Sequence, residues 1–236
     1  MLAEEPRDFF MTLRDVAFWI RSARADAALA RHSADVPPGE AFDRLYRSTD
    51  DPYASMLPQF RYQRRKYKAL LSILPKRPYR QVLDIGCGLG VFCRELAPHA
   101  EQVVGIDVSP HAVSQARSLS RDFANIRFEE GDIRTCDQLG TFSLVVLADV
   151  IYYLSPLTDA AIEAIAAQLA TLLEPGGLLL LVNHYFSTVD GPSRMTRRIH
   201  NTFGNEPSLA VVTERRRAFY LATVFERRSP SGPIRP

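Results

Sequence analysis

At 236 residues, 46% hydrophobic and 24% charged, the chain has room for one substantial α/β domain plus an accessory segment, and its composition excludes disorder as the default state. A net charge of +2 calls for no polyanionic partner. Cys87, Cys93 and Cys136 show no CxxC or Cys/His spacing, which argues against a disulfide framework and a zinc site, so no metal is expected. No run approaches the roughly 18 apolar residues of a membrane span, and the first residues lack the order of a signal peptide, so the expected location is the cytoplasm.

Residues 7–31 place Phe9, Leu13, Val16 and Ile20 at helical spacing and predict an amphipathic helix. Its apolar face is expected to pack on its own domain or, in a homodimer, on a second subunit. The stretch HSADVPPGE (32–40) reads as a linker, and Asp50-Asp51-Pro52 as a turn. Residues 1–40 are thus expected as a helix and linker, with a helical cap over 41–78. A second helix over 58–74 carries Arg61, Arg64, Arg65 and Lys68 three or four residues apart. That spacing makes one solvated charged face, and a nucleic-acid partner is not expected.

From 81 onward the rhythm changes. QVLDIG, QVVGID, IRFEEGD, FSLVVLADV and LLLLVNH read as strands. VFCRELAPH, HAVSQARSLSR and DAAIEAIAAQLATLLEPGG read as helices, the last stopped by its Pro-Gly-Gly. Apolar strands alternating with amphipathic helices predict βαβ units and a parallel sheet buried on both faces. SLAVVTE and RAFYLATVFER, separated by a short charged link, predict an antiparallel hairpin at one sheet edge. A cofactor-binding core is expected over 79–183, a lid and hairpin over 184–228, and a flexible tail over 229–236.

Ligands of open parallel sheets bind beyond the carboxyl ends of the strands, where VLDIGCGLG (82–90) places Gly86, Gly88 and Gly90. Glycines there let a ligand touch backbone. A dinucleotide fingerprint would need glycine where this chain has Val91, and the phosphate loop GxxxxGK[ST] is absent. Instead an acid, Asp84, precedes the first glycine by two residues. Asp107 ends the next strand, where a carboxylate can accept from both hydroxyls of a ribose. Asp132, in GDI, ends the third and can accept from an exocyclic amine such as that of adenine. Acids at the mouth without a Lys or Arg clamp suit a cofactor lacking phosphates.

VLDIGCGLG, VVGID, GDI and LEPGGLLLLV, in this order over 81–183, resemble the class I S-adenosylmethionine-dependent methyltransferases. The resemblance implies a Rossmann-like, doubly wound, mostly parallel seven-stranded α/β sheet with a C-terminal antiparallel hairpin, and S-adenosylmethionine as cofactor. Gly86, Cys87, Gly88 and Gly90 would line its methionine part through backbone atoms. Asp107, with Val108 beside it, would bind the ribose, and Asp132 with Ile133 the adenine. Asp84 would order the loop and reach the amino end, and Asp149 would also border the cofactor. Two alternatives stay open: an NAD-dependent oxidoreductase, and a nucleoside-binding module without catalysis.

Methyl transfer is an in-line displacement, so the protein must align the nucleophile and remove its proton. Candidates at the same carboxyl edge are Asp149 and Tyr152 after the fourth strand and His184 after the fifth, with His200 beyond. Tyr153 beside Tyr152 is a further candidate wall of the acceptor pocket. His184 is the best base by its ordinary pKa of about 6.5. YQRRKYKALLSILP (62–75), ADVIYYL (148–154) and the His184…His200 pair resemble the nodulation N-methyltransferase group. That implies a small-molecule acceptor, the amine of a deacetylated amino sugar, with a sugar hydroxyl as the other option and RNA or protein as less favoured substrates. The Asn/Asp-Pro-Pro-Tyr motif of nucleobase amino-methylation is absent after the fourth strand.

Overall fold

Runs such as Leu144–Leu147 and Leu178–Val182 are apolar at every position, and each is wholly buried as a strand covered on both faces. The structure, a computed structural model, describes residues 13–33, 35–57, 61–135, 139–154, 156–186, 190–217 and 219–229. Phe9, Cys136 and the tail beyond 229 lie outside these.

The helices are α1 (Leu13–His32), α2 (Pro38–Ser48), α3 (Arg61–Ile73), α4 (Val91–Leu96), α5 (Pro110–Leu119), α6 (Asp159–Thr171) and α7 (Gly191–Gly204). The strands are β1 (Tyr79–Ile85), β2 (Ala100–Asp107), β3 (Ile126–Glu130), β4 (Phe142–Ala148), β5 (Leu173–His184), β6 (Leu209–Arg217) and β7 (Tyr220–Arg227). They form one seven-stranded sheet in the order β3-β2-β1-β4-β5-β7-β6. β2 pairs with β3 and β4 with β5 in parallel, whereas β7 runs antiparallel to both β5 and β6. This is the expected Rossmann-like class with its closing hairpin.

The chain divides into two compact units, the first comprising Phe9–Tyr79 and Leu83–Asp137. In its first helix Phe18, Ala25 and Leu29 are buried and Ile20 is half exposed, so the buried face differs from the one read through Ile20. Aromatic packing sets that choice: the Phe18 and Trp19 rings lie 5.0 and 5.2 Å from Tyr62 on α3. Arg64, Arg65 and Lys68 are exposed along α3, as their spacing predicts. The linker reading fails at its end, because α2 already starts at Pro38, where a proline's missing N–H costs a helix nothing. The Asp50-Asp51-Pro52 turn is closed by the Asp51 carboxylate, which accepts from Ser55 N–H and Met56 N–H at 2.9 and 2.8 Å.

The second unit comprises Arg80–Val82 and Gln138–Pro236. Its α6 ends at Thr171; Leu173 and Glu174, expected in the helix, and the Pro175-Gly176-Gly177 expected to stop it belong to β5 instead. The β4–β5 register jumps from Phe142↔Leu173 to Leu144↔Leu178, so the strand bulges around Glu174-Pro175-Gly176-Gly177. Pro175 cannot continue a helix, and Gly176 takes φ +73°. Arg215 and Arg216, expected in the hairpin link, are strand residues paired with Ala222 and Leu221, and Arg217, expected to open the second run, ends β6 paired with Tyr220. A second irregularity lies between Val211 and Thr213 on the outermost strand.

Candidate active site

Beyond β1 the backbone turns through Gly86, Gly88 and Gly90, whose φ angles are 69°, 51° and 68°. Gly86 N–H and Cys87 N–H both donate to the Ile106 carbonyl on β2, at 2.8 and 3.0 Å. Asp107 then clasps the loop from the next strand end. Its Oδ2 accepts from Gly88 N–H at 2.9 Å and its Oδ1 from Ser109 N–H at 3.0 Å. Burial raises the Asp107 pKa, and the N–H donors of Ser109, Gly88 and Val108 oppose that shift.

Asp84, 3% exposed, has the Cys93 thiol as its side-chain partner at 3.1 Å. Burial raises its pKa to about 7, against the thiol's hydrogen bond and with the Asp107 charge adding to the rise. Burial likewise raises the Cys93 thiol well above its ordinary value, and Cys87 is raised too, so neither is a reactive thiolate near neutrality. Both sulfurs press on Gly105, where a Cβ would stand 2.9 Å from each. Asp132 differs from these two acids. Arg134 grips its carboxylate at 2.5 Å and holds its pKa below the usual range, while Ile133 beside it is buried.

Two residues of this region escaped the sequence reading. Asp43 on α2 accepts from His111 N–H at 2.9 Å and from the Ser109 hydroxyl at 3.1 Å, pinning α2 to the start of α5. One turn on, Tyr46 is buried against Leu89 and Ala112. Its hydroxyl lies 2.7 Å from where a Cβ on Gly88 would stand and has no hydrogen-bond partner among the described residues. The only available signal was the amphipathic run AFDRLY after the prolines.

This cradle fits S-adenosylmethionine. A side chain on Gly88 would fill it, the hydroxyl of Tyr46 awaits a partner, and two buried carboxylates line it without a basic clamp. Asp84, Gly86, Cys87, Gly88, Gly90, Asp107, Val108, Asp132 and Ile133 all belong to the first unit.

Asp149, Tyr152, His184 and His200 belong to the second unit. Asp149 follows β4 with φ +59°, a left-handed conformation that L residues avoid, and its N–H donates to the Val182 carbonyl at 2.9 Å. Tyr152 lies on a single 3-10 turn, Ile151–Tyr153. Its hydroxyl is 3.2 Å from the Thr196 hydroxyl, and burial, then the Asp149 charge, push its pKa upward. His184 ends β5 half-buried, its carbonyl accepting from Thr196 Oγ1 at 2.6 Å. His200 sits on α7, 3% exposed, with Thr223 at Nδ1 and Asn183 at Nε2. Burial and the Arg197 charge lower its pKa to about 3. Asn183, Thr196 and Thr223 are the buried polar surroundings of these groups, and nothing in the sequence pointed to the two threonines.

Among the described residues no cluster of His, Cys, Asp or Glu could hold a metal ion, and no helix is long and apolar enough to cross a membrane.

Residues 82–177 match a family model described as a methyltransferase domain. Nodulation protein S of Sinorhizobium fredii (strain NBRC 101917 / NGR234) is 29% identical over 167 residues, 71% of this chain and 73% of that protein. Nodulation protein S of Rhizobium tropici is 30% identical over 167 residues, covering 71% of this chain and 66% of the relative. In fold the chain is similar to the crystal structure of N-methyltransferase NodS from Bradyrhizobium japonicum WM9 in complex with S-adenosyl-L-homocysteine. The TM-score is 0.67 at 22% identity, over 89% of this chain and 99% of that one. With its glycine loop, its strand-end acids and its closing hairpin, the chain belongs to the class I S-adenosylmethionine-dependent methyltransferases.

Proposed function

We propose that the protein transfers the methyl group of S-adenosylmethionine to an amine of a small molecule, an amino sugar freed of its acetyl group, with a sugar hydroxyl as the alternative nucleophile. One observation carries this reading. The similarity to nodulation protein S runs over 167 residues, well beyond the matched methyltransferase domain of residues 82–177.

The cofactor supplies a methyl group already activated on a sulfonium. In our reading, the backbone of Gly86, Cys87 and Gly88 holds its methionine part, with Asp84 toward the amino group. Asp107 takes the ribose hydroxyls through lone pairs that the loop N–H groups leave open, and Asp132 with Ile133 borders the adenine. An aligned amine needs little more than to be neutral. His184 removes the proton, Tyr152 orients the nitrogen, and Asp149 bears on Tyr152 electrostatically.

The test has two stages. Thermal melts are run with S-adenosylmethionine, S-adenosylhomocysteine and NAD in parallel. At a hundred times its Kd a true ligand adds about 2.7 kcal/mol, a shift of several degrees. Glucosamine oligomers and their fully N-acetylated forms are then offered as acceptors, with products read by mass. Methylation of the free amine alone supports the reading; methylation of both equally moves the acceptor atom to a hydroxyl.

A further inference from the structure

A line of hydrogen-bonding side chains crosses the second unit from β7 to the end of β5. Thr223 Oγ1 lies 2.7 Å from His200 Nδ1, and His200 Nε2 lies 3.1 Å from Asn183 Oδ1. Asn183 Nδ2 is buried with no hydrogen-bond partner among the described residues, and the Asn183 side chain bears on Tyr152, opposing the rise of its pKa. Tyr152 Oη is 3.2 Å from Thr196 Oγ1, which donates to the His184 carbonyl at 2.6 Å.

Distances and donor counts order the protons in this line. Asn183 Oδ1 carries none, so His200 Nε2 donates to it. His200 stays neutral at working pH, held so by burial and Arg197, and therefore has no second proton for Nδ1. The single hydroxyl proton of Thr223 points to Nδ1 over 2.7 Å rather than to Glu214 Oε2 at 3.3 Å. At the other end, Thr196 has spent its proton on the His184 carbonyl and can only accept from Tyr152. The Tyr152 proton thus goes to Thr196 Oγ1 at 3.2 Å or to the His184 carbonyl at 3.4 Å, both within the protein, and the phenolic oxygen presents lone pairs.

We propose that this chain makes Tyr152 solely a hydrogen-bond acceptor toward the substrate, so that the enzyme methylates primary and secondary amines and stops at the tertiary amine. The proposal rests on the reading that Tyr152 meets the acceptor. A neutral amine gives an N–H to the Tyr152 oxygen, which aims its lone pair at the methyl carbon. The N–C bond forms as the C–S bond breaks, the sulfonium becomes a thioether, and the proton now in excess on nitrogen leaves to His184. A tertiary amine has no hydrogen to offer, so it is not held and no quaternary ammonium forms. Asn183, His200 and Thr223 are positioning residues that act through Tyr152.

Two measurements on the full chain test this. Nitrogen-15 NMR of the histidines, assigned with His200→Gln, should show His200 neutral and protonated at Nε2; an Nδ1–H tautomer or an imidazolium overturns the chain. This readout needs neither cofactor nor acceptor. Glucosamine, its N-methyl and its N,N-dimethyl derivatives are then offered with S-adenosylmethionine and products read by mass. Methyl gain by the first two and none by the third is expected, and a trimethylated product overturns the proposal alone. Methylation of hydroxyls but of no amine overturns the functional reading as well. Thr223→Val should lower kcat for the primary amine about tenfold, the worth of one hydrogen bond, with cofactor Kd unmoved and Thr223→Ser near wild type. Equal kcat for both variants removes the positioning role. Should Thr223→Val not fold, the tautomer and the product series still decide.

Discussion

The Tyr46 hydroxyl stands 2.7 Å from the point a Cβ would occupy on Gly88, so a side chain on α2 and a glycine beyond β1 share one small volume. Gly88→Ala therefore meets both a left-handed φ of +51° and that hydroxyl. The conformation alone costs about 1–2 kcal/mol. In a Tyr46→Phe background, where the nearest ring carbon is 3.8 Å away, the remainder should be recovered. Melts of the two single variants and the double form a cycle, and strict additivity would deny the contact. Tyr46→Phe alone should leave the melt unchanged and weaken S-adenosylmethionine binding.

Asp107→Ala strips the clasp from Gly88 N–H and Ser109 N–H along with the proposed ribose contact. The expected loss is about 1.5–3 kcal/mol of cofactor affinity, as for hydrogen bonds to a charged group. Titration calorimetry reads it directly, and unchanged affinity contradicts the ribose role.

Asp84 links stability to pH. Its pKa, about 7 in the folded chain against 3.8 for an ordinary aspartate, is raised, so between these values the folded state holds a proton that the unfolded chain has released. Stability must then fall as pH rises from about 4 to 7 and level off above. Asp84→Asn should accordingly melt higher than wild type near pH 8 and equal it near pH 4. If the cofactor's ammonium reaches Asp84, binding expels that proton and tightens toward pH 7. Calorimetry in two buffers of different ionisation heat measures the release; none in wild type, or an equal release in the variant, places the amino group elsewhere.

His184→Ala should lower turnover while leaving cofactor affinity nearly unchanged, since the proposal gives it a proton and no part of the cofactor. Survival of full turnover on the true acceptor assigns the base to another group.

What the sequence made legible was local. A glycine spacing implies backbone conformation, and all three loop glycines do have positive φ. Apolar runs at every position imply strands covered on both faces, and the sheet follows. What stayed hidden depended on distant partners. Ile20 and Phe18 are equally apolar, and only Tyr62 on another helix decides which is buried. Tyr46 and Gly88 are 42 positions apart in number, and nothing in either residue type announces the other. His200 read as a base by residue type, whereas its roles are set by Thr223 and Asn183 on two different strands.

The irregular pairing on β6 matters for a crowded cell. That strand is the last of its sheet and carries exposed Val211 and Val212, a template on which another chain's strand could add. Because the register skips between Val211 and Thr213, its outward N–H and C=O groups fall out of step there. The Arg215–Arg217 run places three cations on the same rail. A stranger's strand would find neither a continuous ladder nor a neutral one, and the chain can keep two valines in water without inviting fibres.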